Sequence, residues 1–101
     1  MNNKKIVVPK DEIRDFCRRW KVVEFALFGS VLREDFHNNS DIDVLVTFSS
    51  KAKHSLFDLA RMEEELEAIF ERRVDLVEKA GIRNPFRRHE ILKSLEVVYA
   101  A

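Results

Sequence analysis

A small α/β domain is the fold this sequence predicts. Three observations carry it: short runs rich in β-branched and aromatic residues at positions 22–28, 42–48 and 73–77, amphipathic helical stripes alternating with them, and only two glycines and two prolines in 101 residues.

Pro9 opens the first helix, in which Ile13, Phe16, Cys17 and Trp20 follow the i, i+3, i+4, i+7 spacing of one buried face. Residues 22–28 then read as a buried strand. Gly29 ends it, and Ser30 is suited to cap a short helix through Val31, Leu32 and Arg33. A second strand covers residues 42–48. A longer helix over residues 55–71 carries Leu56, Leu59, Ala60, Glu63, Leu66 and Phe70 on one stripe, and its acidic run Glu63-Glu64-Glu65 reads as a solvated face. Residues 73–77 form a third strand and Gly81 marks a turn. Asn84-Pro85 is an N-cap followed by proline at the first helical position, and residues 96–99 can add a last strand. No repeat, low-complexity tract or linker interrupts the chain, so residues 1–101 are expected to be a single domain, large enough for a core without staples.

Composition narrows the function. Lysine and arginine number 18 against 18 acids, so no net field gathers nucleic acid, and no strong nucleic-acid footprint is expected. Cys17 is the only cysteine, which excludes an internal disulfide and a cysteine metal cluster; on its helix it reads as a core residue. No run reaches the length of a membrane span, and the polar start followed by a short apolar patch is no leader, so a cytoplasmic protein is expected. No phosphate-binding G-x-x-x-x-G-K-[S/T] loop is present, and His37, His54 and His89 lack metal-ligand spacing and read as surface or capping residues.

The chemistry concentrates in Gly29-Ser30, ten further residues, then Asp41-Ile42-Asp43 at the head of Val44-Leu45-Val46. A strand running into a helix N-terminus offers free amide hydrogens to phosphate oxygens, and glycine lets the backbone come close. Asp41 and Asp43, two apart on a strand, project to one side at roughly 7 Å between Cα atoms. Such a pair can hold Mg²⁺, which takes one or two carboxylates plus substrate phosphates. Asp75 is the odd residue in the third strand, and a carboxylate buried among aliphatics there needs a compensating charge such as a metal. The alternative is that these aspartates are solvated strand ends or turn caps. Arg33 either aims at phosphate or pairs with Glu34, Asp35 or a strand-end carboxylate. Arg83, Arg87 and Arg88 either meet a nucleotide or an acidic partner, or form a solvated basic helix face.

Phe28-Gly29-Ser30-Val31-Leu32-Arg33 together with Ser40-Asp41-Ile42-Asp43-Val44-Leu45-Val46 resembles the minimal nucleotidyltransferase family, a branch of the polymerase β-like superfamily. The Asp75 strand, residues 83–88 and the terminal Val98-Tyr99-Ala100 are also similar to that family. The resemblance implies a small mixed sheet flanked by helices. It implies two Mg²⁺ ions held by Asp41, Asp43 and Asp75, and ATP whose outer phosphates lie on Gly29 and Ser30, with Arg33 close by. The implied activity is nucleotidyl transfer, with AMP moved from ATP to a hydroxyl of a partner protein. The implied partner is a HEPN toxin ribonuclease encoded nearby, for which this chain would be the antitoxin. The competing readings are an antitoxin that blocks its partner by binding alone, and a nucleotidyltransferase acting on a small molecule or RNA. His37-Asn38-Asn39 departs from the family's usual residues and leaves that loop's role open.

Overall fold

The computed structural model describes residues 8–29 and 41–101. Strand β1 (Val22–Phe28) lies between β2 (Ile42–Phe48) and β4 (Glu96–Ala100), antiparallel to both, and β3 (Val74–Glu78) lies outside β2 and parallel to it. Among the described residues three α-helices flank this mixed sheet: α1 (Lys10–Trp20), α2 (Leu56–Phe70) and α3 (Pro85–Leu92). Parallel strands cannot be joined by a tight turn, and α2 is the crossover that returns the chain from the end of β2 to the start of β3.

Side-chain alternation sorts the sheet into two faces. On one, Phe25, Leu27, Val44 and Val46 meet Phe16 and Cys17 of α1 and Met62 and Leu66 of α2 in the main core. On the other, Phe28 and Leu45 join Ile82 and Ile91 in a smaller core under α3. Burial of the Cys17 thiol among these aliphatics pushes its pKa up to about 12.

Local chemistry sets the helix ends. Ser55 Oγ accepts from the Asp58 amide at 3.2 Å while Asp58 Oδ2 accepts from the Ser55 amide at 3.0 Å, a reciprocal cap that starts α2 at Leu56. Asn84 Oδ1 accepts from the amides of Phe86 and Arg87, with Pro85 at the first helical position as its missing donor allows. Lys21 and Glu71 end α1 and α2 in the left-handed conformation, at φ 59° and 55°.

Three expectations are corrected. Leu56, placed by spacing on the buried stripe of α2, is 84% exposed, and Ala60 is exposed as well. The spacing admits two helical phases, and the one that buries Met62, Leu66 and Phe70 with Leu59 and Ile69 alongside removes more apolar area from water. Nor is the acidic run a solvated face. Glu63 Oε2 accepts from the Leu76 amide at 3.2 Å, and one turn on, Glu67 Oε2 accepts from the Val74 amide at 3.1 Å, so α2 closes the outer edge of β3. Glu65 takes both guanidinium nitrogens of Arg19 and the Trp20 indole N–H, tying α2 to α1, and these bonds hold its pKa below the usual carboxylate value. Only Glu64 of the three is exposed. The third correction, Asp75, belongs to the site.

Candidate functional site

Two of the aspartates singled out in the sequence, Asp43 and Asp75, fall on one face of the sheet, at one end of it. Phe28, the last residue of β1, pairs with Asp43 across the antiparallel ladder, and Asp43 pairs with Asp75 across the parallel one. Residues directly opposite each other share a face, so the Asp43 and Asp75 side chains rise side by side on the α3 face. Asp41 stands just before β2, two residues from Asp43, and the intervening Ile42 amide is fixed to the Arg73 carbonyl at 2.9 Å. Ile42 is wholly buried in the opposite direction, which leaves the register no freedom to slip.

Asp75 is exposed. Its expected burial among aliphatics does not occur, because Val74 and Leu76 turn to the main core while Asp75 takes the open side of an edge strand. It therefore carries no desolvation penalty that a metal must offset, and its interest rests on its place beside Asp43.

Gly29 follows β1 at φ 73°, a left-handed conformation that β-carbon sterics disfavour. Proximity is a second constraint on it. A Cβ there would overlap Asp43 Oδ2 and stand 3.2 Å from its Cγ, so the missing side chain is the space in which the Asp43 carboxylate lies. The spacing of Gly29 from Asp43 gives no signal of this contact. It follows from the β1–β2 register, which sets Phe28 opposite Asp43. Ser30 and Arg33, expected at the nucleotide, lie outside the described residues.

Among the described residues no three acids, histidines or cysteines converge on one point as a preformed metal cage. A hard cation of the Mg²⁺ type does not need one. It takes one or two carboxylates and completes its shell with water and phosphate oxygens, and the all-oxygen donor set of Asp41, Asp43 and Asp75 fits that demand. No helix among the described residues is long and apolar enough to cross a membrane.

Comparison with known proteins gives a consistent picture. Residues 10–98 match the model of the nucleotidyltransferase domain family. The chain is 38% identical over 90 residues to the protein adenylyltransferase MntA of Thermococcus cleftensis, covering 89% of this chain and 83% of that one. Among solved structures, a toxin–antitoxin complex with AMP-PNP superimposes with a TM-score of 0.75 at 20% identity, over 93% of this chain and 75% of that one. A tri-AMPylated Shewanella oneidensis HEPN toxin in complex with MNT antitoxin gives 0.66 at 18% identity, over 91% and 70% of the two chains. At those identities the likeness is one of fold.

Proposed function

The chain belongs to the nucleotidyltransferase domain family, and on that premise we propose that it is a Mg²⁺-dependent protein adenylyltransferase that moves AMP from ATP to a hydroxyl of a HEPN-type toxin, acting as its antitoxin. The observation that carries this reading is the row Gly29, Asp43, Asp75 at the end of one sheet face: a glycine without steric bulk against the Asp43 carboxylate, and Asp75 paired with Asp43 across the parallel ladder, with Asp41 two residues before Asp43.

Bound Mg²⁺ would supply charge neutralisation for the triphosphate and for the leaving pyrophosphate. Asp41 and Asp43 are the residues that would hold it, with Asp75 as the third carboxylate. Gly29 and Ser30 would receive the outer phosphates, and Arg33, three residues on from Ser30, would contact them. In the reaction the acceptor oxygen bonds to the α-phosphorus, the bond to the bridging oxygen breaks, and pyrophosphate leaves with the electron pair. Asp75, exposed beside Asp43, would accept the hydroxyl proton.

The test is mass spectrometry after incubation with ATP, Mg²⁺ and a HEPN-type protein encoded beside this chain. A gain of one or more AMP units on the partner is expected, lost in Asp41→Asn plus Asp43→Asn. No mass shift with any nucleoside triphosphate overturns the reading. If the same double variant still neutralises the toxin in cells, blocking by binding alone replaces catalysis as the antitoxin mechanism.

A further inference from the structure

Positive charge is unevenly placed on this chain. The formal net charge is zero, yet Lys79, Arg83, Arg87, Arg88 and Lys93 face a single acid, Glu90, between positions 79 and 93, five charges against one. Arg83 and Arg87 are exposed, and among the described residues neither has an ion-pair partner. Phe86, between them in sequence, leaves 81% of its surface in water although α3 already buries Ile91 in the smaller core. Pro85, Arg88, His89, Leu92 and Lys93 line a groove of about 470 Å³ along the outside of the same helix. Pro85 and Leu92 give it apolar lining, and Arg88 and Lys93 cationic lining.

The topology says where this surface leads. α3 begins beyond the C-terminal end of β3, where the catalytic face is farthest from Asp43 and Asp75. It ends where β4 starts, and Glu96 there pairs with Leu27, two residues from Gly29. A segment lying along α3 is thus led toward the carboxylate row on the face they share.

We propose that the outer surface of α3, Arg83, Phe86, Arg87 and the groove from Pro85 to Lys93, docks an acidic, partly apolar segment of the acceptor protein and guides it to the Asp43–Asp75 end of the sheet. The proposal rests on the adenylyltransferase reading, since it names how that site obtains its substrate. Charge complementarity selects the occupant: unpaired arginines flanking an exposed aromatic fit the composition of protein recognition anchors and favour carboxylate partners. A polyanion such as RNA is disfavoured by the acids of α2, which help bring the net charge to zero, and by the apolar lining of the groove.

The experiment is fluorescence anisotropy on the whole chain with two labelled probes, a peptide of about a dozen residues alternating glutamate and leucine and an oligouridine of equal length. The peptide should bind, and Arg83→Glu plus Arg87→Glu should weaken it at least about tenfold, with Arg83→Lys plus Arg87→Lys restoring most of the loss. Phe86→Ser should weaken it in a way that added salt does not reproduce. Peptide affinity unmoved by charge reversal, no peptide binding, or tighter binding of oligouridine than of peptide each overturns the proposal. The melting midpoint with ATP and Mg²⁺ is read in parallel. A ligand-induced rise preserved in all forms alongside unaltered peptide binding sinks the docking surface and leaves the transferase reading standing. Charge-dependent peptide binding without any ATP response or AMP transfer does the reverse.

Discussion

Replacing Gly29 by alanine separates two roles that one glycine combines. The first cost is conformational: an L-residue at φ 73° in the left-handed region loses about 1–2 kcal/mol. The second is steric, because the new Cβ overlaps Asp43 Oδ2 and lies 3.2 Å from Cγ, whereas its 3.5 Å distance to Asp43 Cβ is ordinary contact. The carboxylate is the free end of a short side chain, so it can swing away, and little of that overlap need appear as lost stability. It appears instead as displacement of an oxygen that the proposed mechanism assigns to metal binding, and misplacing a reacting group by about 1 Å can cost roughly a hundredfold in rate. Gly29→Ala should therefore lower the melting midpoint by roughly 5–15 °C, from 1–2 kcal/mol in a domain of this size. Transfer and Mn²⁺ affinity, the latter followed by electron paramagnetic resonance, should fall far more than that loss explains. A double-mutant cycle isolates the contact. In an Asp43→Ala background the overlapping atoms are gone, and Gly29→Ala should then cost only its conformational share. Mn²⁺ affinity retained by Gly29→Ala, or an identical stability cost in both backgrounds coupled with normal transfer, would refute the steric reasoning.

Asp75→Asn should leave the stability within about 0.5 kcal/mol of the parent, as for an exposed residue, while transfer collapses and the rise in midpoint produced by ATP with Mg²⁺ shrinks. A much lower midpoint with the ligand response intact would make Asp75 a scaffold residue. Glu65 has a folded pKa depressed first by Arg19 and then by Trp20, so its contribution is present above the unfolded carboxylate value of about 4.3 and is lost as pH falls through the lower folded value. Accordingly Glu65→Gln should melt lower by about 1 kcal/mol or less near neutrality, discounted because Arg19 is half exposed, and the gap should close in melts below about pH 4. Cys17, buried with its thiol pushed up to about 12, should react with a thiol reagent only at the rate of unfolding; rapid labelling of the native chain would contradict its burial.

The strands and the first helix were legible because each has one strong solution. β1 and β2 have the predicted limits, since their apolar runs are bounded by polar residues, and Ile13, Phe16 and Cys17 are wholly buried as their spacing requires. Asn84-Pro85 worked for the same reason: a cap and a fixed φ leave little else for the backbone to do. Where the sequence misled, the deciding term was tertiary. Leu56 and Met62 both satisfy a helical stripe, and only packing against α1 and the sheet chooses between phases. Glu63 looked solvated because no local pattern announces that a strand edge will need acceptors. Asp75 was correctly set apart from its neighbours, but whether the odd residue of a strand faces core or water depends on which side the helices cover. The closeness of Gly29 to Asp43 depends on pairing register, which spacing along one strand does not encode.

The two glutamates of α2 that reach the edge of β3 amount to a coincidence of lattices. Four residues of helix advance about 6 Å, and two residues of strand advance about 6.6 Å, so Glu63 and Glu67 are nearly commensurate with the amides of Leu76 and Val74. For those two rungs the helix behaves as a substitute neighbouring strand, with carboxylates in place of carbonyls. A single-residue insertion between Glu63 and Glu67 would break the match and leave both amides waiting for another acceptor. The stretch that carries Asp75 would then offer itself for pairing with other chains, so solubility and the third carboxylate are bound to the same four-residue interval of α2.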